Sequence, residues 1–244
     1  MASATPNYQR VLLKISGEAL GGERRQGLDA DTLHFICMEV AAVVALDVQV
    51  AIVVGGGNYF RGAKAGNLSM ERASADYIGM LATVMNAIAL QQAFLAAGVQ
   101  ARVQSAIPMP PVAEPYIRER ALKHLNRHSV VIMAAGTGSP YFTTDTAASL
   151  RAIEIGADLL LKATQVDGVY DRDPNCYENA SRFDTVSYDE VLHARLDVMD
   201  ATAIALCREH GIPLCVFDIK NPGCLYRIIL GDNKEGTLVH GEVT

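Results

Sequence analysis

Apolar residues in this chain arrive in short unbroken runs, separated by longer stretches where apolar positions recur every three to four residues. Residues 10–15 (RVLLKI), 48–54 (VQVAIVV), 99–104 (VQARVQ) and 129–134 (SVVIMA) are short and rich in Val, Ile or Leu. Residues 158–162 (DLLLK), 213–217 (PLCVF) and 237–239 (TLV) continue the series. Short, mainly apolar runs of this kind predict strands buried on both faces. Helical spacing covers 29–46, 116–125, 144–156, 189–196, 200–210 and 222–231, with Asp29 or Asp31 as the cap of the first. A Pro-rich turn is expected at 108–115. Strand and helix alternate to the end, which implies an α/β fold with a mostly parallel sheet covered on both faces. There is no Ser/Gly linker and no internal repeat. The expectation is one domain over 8–240 with two lobes, divided near residue 140.

One stretch breaks the rhythm. Residues 77–101 carry no charge and are long enough to cross a bilayer. Thr83, Asn86, Gln91, Gln92 and Gln100 are too polar for a lipid-facing surface. The stretch therefore predicts a core helix that also builds a subunit interface.

Composition narrows the function. The net charge is −6 and no Lys/Arg run appears, so a nucleic-acid surface is not expected. The five cysteines form no CxxC pair and the six histidines no HExxH, which argues against a zinc site. Cys37, Cys176, Cys207, Cys215 and Cys224 read as packed, reduced thiols of a cytoplasmic protein. The N-terminus MASATPNYQR has no apolar signal core.

The chemistry gathers where predicted strands end. Four such ends carry Lys14-Ile15-Ser16-Gly17, Gly55-Gly56-Gly57-Asn58, Gly136-Thr137-Gly138-Ser139 and Lys162-Ala163-Thr164. In a parallel sheet these loops share one edge, where ligands of such folds bind. Three glycines after a buried strand let backbone N–H groups approach a phosphate. The loop is neither of two familiar phosphate motifs. Ala63 stands where a P-loop needs Lys, and Phe60 where the dinucleotide fingerprint needs Gly. Arg61 follows the glycines, and a guanidinium can fork onto phosphate oxygens. Lys14 sits within an apolar strand, where an ammonium is costly without a partner. Lys162 repeats the pattern. Two strand-end lysines suit a reaction that develops negative charge on a transferring phosphoryl group. In Thr143-Thr144-Asp145, Thr144 or Asp145 reads as a helix cap, and Asp145 as a group that orients ammoniums or holds hydrated Mg²⁺. Asp76 on its own reads as a solvated helix residue.

Together these segments resemble the bacterial UMP kinases, a branch of the amino-acid-kinase family. The resemblance rests on LLKISGEAL (12–20), VVGGGNYFRG (53–62), ADYIGMLATVMN (75–86), SAIPM (105–109), AGTGSPYFTTDTAA (135–148), LLKATQVDGVYDRDP (160–174) and VMDATA (198–203). It spans nearly the whole chain in order.

The resemblance implies a three-layer αβα sandwich, a homohexamer, UMP as acceptor and ATP as donor, with Mg²⁺ carried by the ATP. It implies that Lys14, Ser16, Gly17, Gly57 and Arg61 meet the ATP phosphates. Thr164, Tyr170 and Asp173 would hold the adenosine. Gly56 and Asp76 would hold UMP, together with the segment Thr137, Gly138, Ser139, Pro140, Tyr141, Phe142, Thr143 and Thr144. Lys14, Arg61 and Lys162 would stabilise the transferring group and Asp145 would organise them. Ser139 stands where the family carries Asn. UTP is an implied inhibitor at the UMP site. GTP activation stays open, because Gln91-Gln92 stands where some relatives carry an Arg-Asp pair and Ser129 where an Arg can stand, while Arg102 matches a basic residue of the GTP-binding relatives. A kinase of a carboxylate such as aspartate, and a non-catalytic nucleotide sensor, remain alternatives.

Overall fold

The computed structural model describes residues 5–60, 69–174, 176–177, 179–232 and 234–241. Among these, nine strands make one sheet: β1 (Arg10–Ile15), β2 (Gln49–Val54), β3 (Ala101–Ser105), β4 (Glu114–Pro115), β5 (Val130–Ala134), β6 (Leu159–Thr164), β7 (Thr185–Ser187), β8 (Leu214–Asp218) and β9 (Thr237–His240). Their order is β4-β3-β5-β2-β1-β6-β8-β9-β7. Every pairing is parallel except β8 with β9. The sheet is therefore mixed and mostly parallel, as the continuous apolar runs predict. Strands β4 and β7 were not foreseen. Each is two or three residues long, too short to show a period.

Helices α2 (Ala30–Val44), α3 (Arg72–Ala96) and α8 (Cys224–Ile229) cover one face. Helices α4 (Arg118–Leu125), α5 (Thr144–Ile155), α6 (Tyr188–Ala194) and α7 (Ala201–His210) cover the other. A one-turn helix, α1 (Gly17–Leu20), follows β1. Alternation along β1 sends Val11, Leu13 and Ile15 into the α2/α3 core and Leu12 into the α5/α7 core. Leu161 and Leu160 divide in the same way on β6. Lys14 and Lys162 hold the same parity as Leu12 and Leu160, so both lie on the α5 face of the sheet.

Local signals set the helix ends. Asp29 caps α2, its carboxylate accepting from Thr32 N–H at 2.8 Å. The cap of α5 is Thr143, one or two residues before the expected Thr144 or Asp145, with Oγ1 accepting from the N–H groups of Asp145 and Thr146 at 3.1 Å. This correction frees the Asp145 side chain for other work. Gly156 ends α5 at φ 63°, a left-handed position that suits glycine. Four cysteines are packed as expected, but Cys176 is exposed.

Helix α3 is long and apolar enough to cross a membrane by length and composition, and it packs on the sheet along one side. Its buried polar residues Thr83 and Asn86 both bond within the protein. Tyr77, Leu81 and Met85, spaced four apart, are about half exposed on another side (46 %, 50 % and 49 %).

Candidate active site

Strands β5, β2, β1 and β6 are consecutive neighbours and mutually parallel. The four loops that the sequence singles out therefore emerge side by side at one sheet edge. The register does more. Lys14 of β1 stands directly opposite Lys162 of β6. Two ammoniums on neighbouring strands and one face would repel. Asp145, in the first turn of α5 above them, resolves this. Its Oδ1 lies 2.5 Å from Lys14 Nζ and its Oδ2 3.0 Å from Lys162 Nζ. Lys162 also donates to the Val198 carbonyl.

Burial is the leading influence on both charges. It pushes the Lys14 ammonium below the usual lysine pKa, with Asp145 opposing the shift and Lys162 adding to it. Burial alone would raise the Asp145 carboxyl, but the two ammoniums outweigh it and hold the group below its usual range. The clamp is thus an ionised carboxylate with one ammonium on each oxygen. Each oxygen faces a different lysine, so the carboxylate bridges the two strands. No group of three or more His, Cys, Asp or Glu side chains suited to a metal gathers among the described residues.

The glycine loop lies against the β1 turn. A Cβ on Gly17 would stand 2.6 Å from Gly57 N and 2.8 Å from Gly55 O, so only glycine permits this approach. The N–H groups of Gly56 and Gly57 donate to no acceptor among the described residues. Ser16 caps α1, with Oγ accepting from Ala19 N–H at 3.2 Å. Arg61, expected beside these groups, lies outside the described residues.

A cleft opens between α3 and the loop after β5. Gly56, Asp76, Thr137, Ser139, Phe142, Thr143 and Thr144 line it. Gly138, Pro140 and Tyr141 shape the loop without lining the cleft. Asp76 is not a solvated bystander: its Oδ2 accepts from Tyr141 N–H at 2.8 Å, and Arg72 pairs with it. Thr83, two turns along α3, accepts the N–H of Ala135 at 2.7 Å. Ala135 is a buried non-glycine residue at φ 62°, a strained conformation that this bond helps hold. One helix thus grips the loop at both ends.

A second cleft is lined by Tyr170 and Asp173 with Val166, Gly168 and residues 194–197. Tyr170 donates to Asp167 at 2.7 Å, a bond that raises its pKa. Thr164 does not line this cleft. Its hydroxyl accepts from Val166 N–H at 3.1 Å and donates to Val166 O at 2.6 Å, closing the turn after β6.

The sequence profile of the amino acid kinase family matches residues 9–218. The chain belongs to the amino acid kinase family. Two solved structures are similar to this amino acid kinase along almost their whole length. One is the UMP kinase of Bacillus anthracis, 39 % identical over 97 % of each chain, with a TM-score of 0.93. The other is the UMP kinase of Ureaplasma parvum, 37 % identical over 95 % of this chain and 98 % of that one, with a TM-score of 0.90.

Sequence reasoning passed over several residues of this amino acid kinase. Asp200 caps α7 through Ala203 N–H and accepts from the hydroxyls of Thr143 and Thr146, tying α7 to the start of α5. Its signal was present as a cap before an Ala-rich helix. Thr83 had a signal as well, a polar residue inside an apolar helix. The Val198 carbonyl had none, since a backbone acceptor leaves no mark in the sequence.

Proposed function

We propose that this chain transfers the γ-phosphate of ATP to UMP, giving UDP and ADP. The observation that carries the phosphoryl-transfer reading is the Lys14–Asp145–Lys162 clamp at the shared edge of parallel strands. The choice of UMP rests on the likeness to two UMP kinases. UMP would occupy the cleft beside Asp76 and Thr137–Thr144, and the adenosine of ATP the cleft beside Tyr170 and Asp173.

The phosphate of UMP is already ionised at neutral pH, so the reaction calls for alignment and charge stabilisation rather than a strong base. Asp145 holds two ammoniums at fixed positions on one face. Each keeps hydrogens for the transferring group: Lys162 uses one on Asp145 and one on Val198 O. The N–H groups of Gly56 and Gly57, which have no acceptor among the described residues, add donors at the same edge. Mg²⁺ would arrive with ATP. It would supply charge neutralisation between the phosphates.

The exposed apolar stripe of α3 at Tyr77, Leu81 and Met85 supports assembly with further copies, which we take to be a homohexamer in the cytoplasm. UTP is the expected competitor of UMP. Gln91 spends its amide on Ala101 O at 3.0 Å, so a GTP response would depend on other residues such as Arg102.

Initial rates with UMP, CMP, dCMP, aspartate and glutamate test the reading, with and without UTP and GTP. UDP should form from UMP and Mg-ATP, and EDTA should abolish it. UDP formation no faster than in an enzyme-free control refutes the reading, and turnover of aspartate or glutamate would replace it with a carboxylate kinase.

A further inference from the structure

Three consecutive glycines form the most flexible segment a chain can offer, yet donors that stabilise charge must be in place before substrate arrives. Something must hold residues 55–58. The loop's own bonds are few. Gly55 N–H continues the ladder onto Ile15 O at 2.8 Å, and Gly56 O accepts from the N–H groups of Tyr59 and Phe60 at 3.1 Å.

The rest comes from two buried side-chain amides. Asn58 and Asn86 bond reciprocally, Nδ2 of Asn58 to Oδ1 of Asn86 at 2.9 Å and Nδ2 of Asn86 to Oδ1 of Asn58 at 2.8 Å. The second hydrogen of Asn86 goes to Gly55 O at 2.7 Å, and that of Asn58 to Gly27 O at 2.6 Å. All four amide hydrogens are used. Turning either amide over would set its oxygen against a carbonyl, so the orientation is unique. Gly27 N–H returns to Asn58 O at 3.1 Å. Asn86 is fully buried and Asn58 nearly so. The Asn58 oxygen also backs onto the β1 turn, 2.6 Å from where a Gly17 Cβ would stand.

Geometry converts these bonds into direction. A trans peptide is planar, with C=O and N–H opposed. Holding Gly55 C=O on Asn86 therefore turns Gly56 N–H away from the helix that carries Asn86. We propose that Asn58 and Asn86 are positioning residues for phosphoryl transfer, locking the glycine loop to α3 so that the Gly56 and Gly57 N–H groups face the transferring phosphate. The proposal rests on the phosphoryl-transfer reading above. It makes α3 the common support of the site, since the same helix holds the acceptor loop through Asp76 and Thr83.

Hydrogen–deuterium exchange on the unliganded protein and steady-state kinetics test it, using Asn86→Asp and Asn86→Ser. Asn86→Asp preserves shape but sets a carboxylate oxygen opposite Gly55 O. Exchange in the peptide covering 55–60 should rise roughly tenfold, with peptides of β5 and α7 unchanged. The kcat should fall roughly tenfold while KM for UMP stays within about twofold. Lowering the pH from about 8 to 6 should recover part of the Asn86→Asp deficit, because a protonated carboxyl donates again. Asn86→Ser should show no such recovery. Exchange at 55–60 and kcat both unchanged in the two variants would overturn the proposal. So would loss of the folded state in both, or faster exchange spread over the whole chain, since either assigns the pair to stability alone. If the parent forms no UDP, the phosphoryl-transfer reading fails instead, and exchange at 55–60 still decides whether the pair holds the loop.

Discussion

Asp145→Asn keeps the shape of a side chain and removes one charge from a buried set of three. At 2.5 Å and 3.0 Å, each carboxylate–ammonium attraction is about 5–7 kcal/mol at an effective dielectric near 20. The net cost is smaller, because an abandoned ammonium can lose its proton or draw in water. Breaking one side of a buried pair costs about 3–5 kcal/mol, and we expect that range here. Lys14 decides how the loss appears. Its folded pKa already lies below the 10.5 of an exposed lysine, owing first to burial. Between those two values the unfolded chain binds the extra proton, so this group's contribution to stability rises with pH. Without Asp145 the folded value drops further and the window widens downward. Urea unfolding should therefore show Asn at 145 most destabilising near neutral pH and less so as pH rises. The rate should behave in the opposite way, since Lys14 must stay charged to stabilise the phosphoryl group. The kcat should drop about 10²–10³-fold, and the remaining rate should decline at lower pH than the parent's. Unfolding curves at several pH values and UDP initial rates across the same range measure both. A variant destabilised by less than about 1 kcal/mol, with kcat within about threefold of the parent, would refute the reasoning.

Four further outcomes follow from the same geometry. Lys14→Ala and Lys162→Ala should each cut kcat by about 10²-fold or more while UMP binding, read by calorimetry, stays largely intact; a near-normal rate removes that residue from the mechanism. Asp76→Asn weakens the hold on Tyr141 N–H and on Arg72, so KM for UMP should rise about tenfold with a smaller change in kcat, as initial rates would report. Thr83→Val leaves the buried Ala135 N–H without an acceptor and should cost about 1–3 kcal/mol in urea unfolding, more than an exposed Thr→Val change on α3. Acid should act through Asp145 itself: its folded pKa lies below 3.8, so the stability it contributes is complete above that value and lost as pH falls through the folded pKa. An acid transition unchanged in Asp145→Asn would contradict this.

Much of the architecture was legible because its causes are local. Continuous apolar runs mark strands buried on both faces, and β1 begins and ends where RVLLKI does. Asp29 and Gly156 mark helix ends through their own backbone and side-chain chemistry. The parallel sheet followed from alternation, and with it the gathering of four strand-end loops at one edge. The cap of α5 was misplaced by one or two residues because Thr143, Thr144 and Asp145 all have capping chemistry, and only the backbone at Thr143 is extended.

By itself, then, the sequence determined the strand and helix pattern, the four chemical loops and two lysines that could not sit in apolar strands alone. Tertiary structure alone decided how those charges are resolved. The register that sets Lys14 opposite Lys162 depends on two strands about 150 positions apart being neighbours, and no local periodicity encodes a neighbour. The choice of Asp145 over other carboxylates depends on where α5 begins above that pair. Asn58 and Asn86 stand out in sequence only as polar residues beside glycines and within an apolar helix, and their partnership lies in a reciprocal bond between a loop and a helix 28 residues apart. Local chemistry writes elements into a sequence, whereas the partners of buried polar groups are settled only when those elements pack.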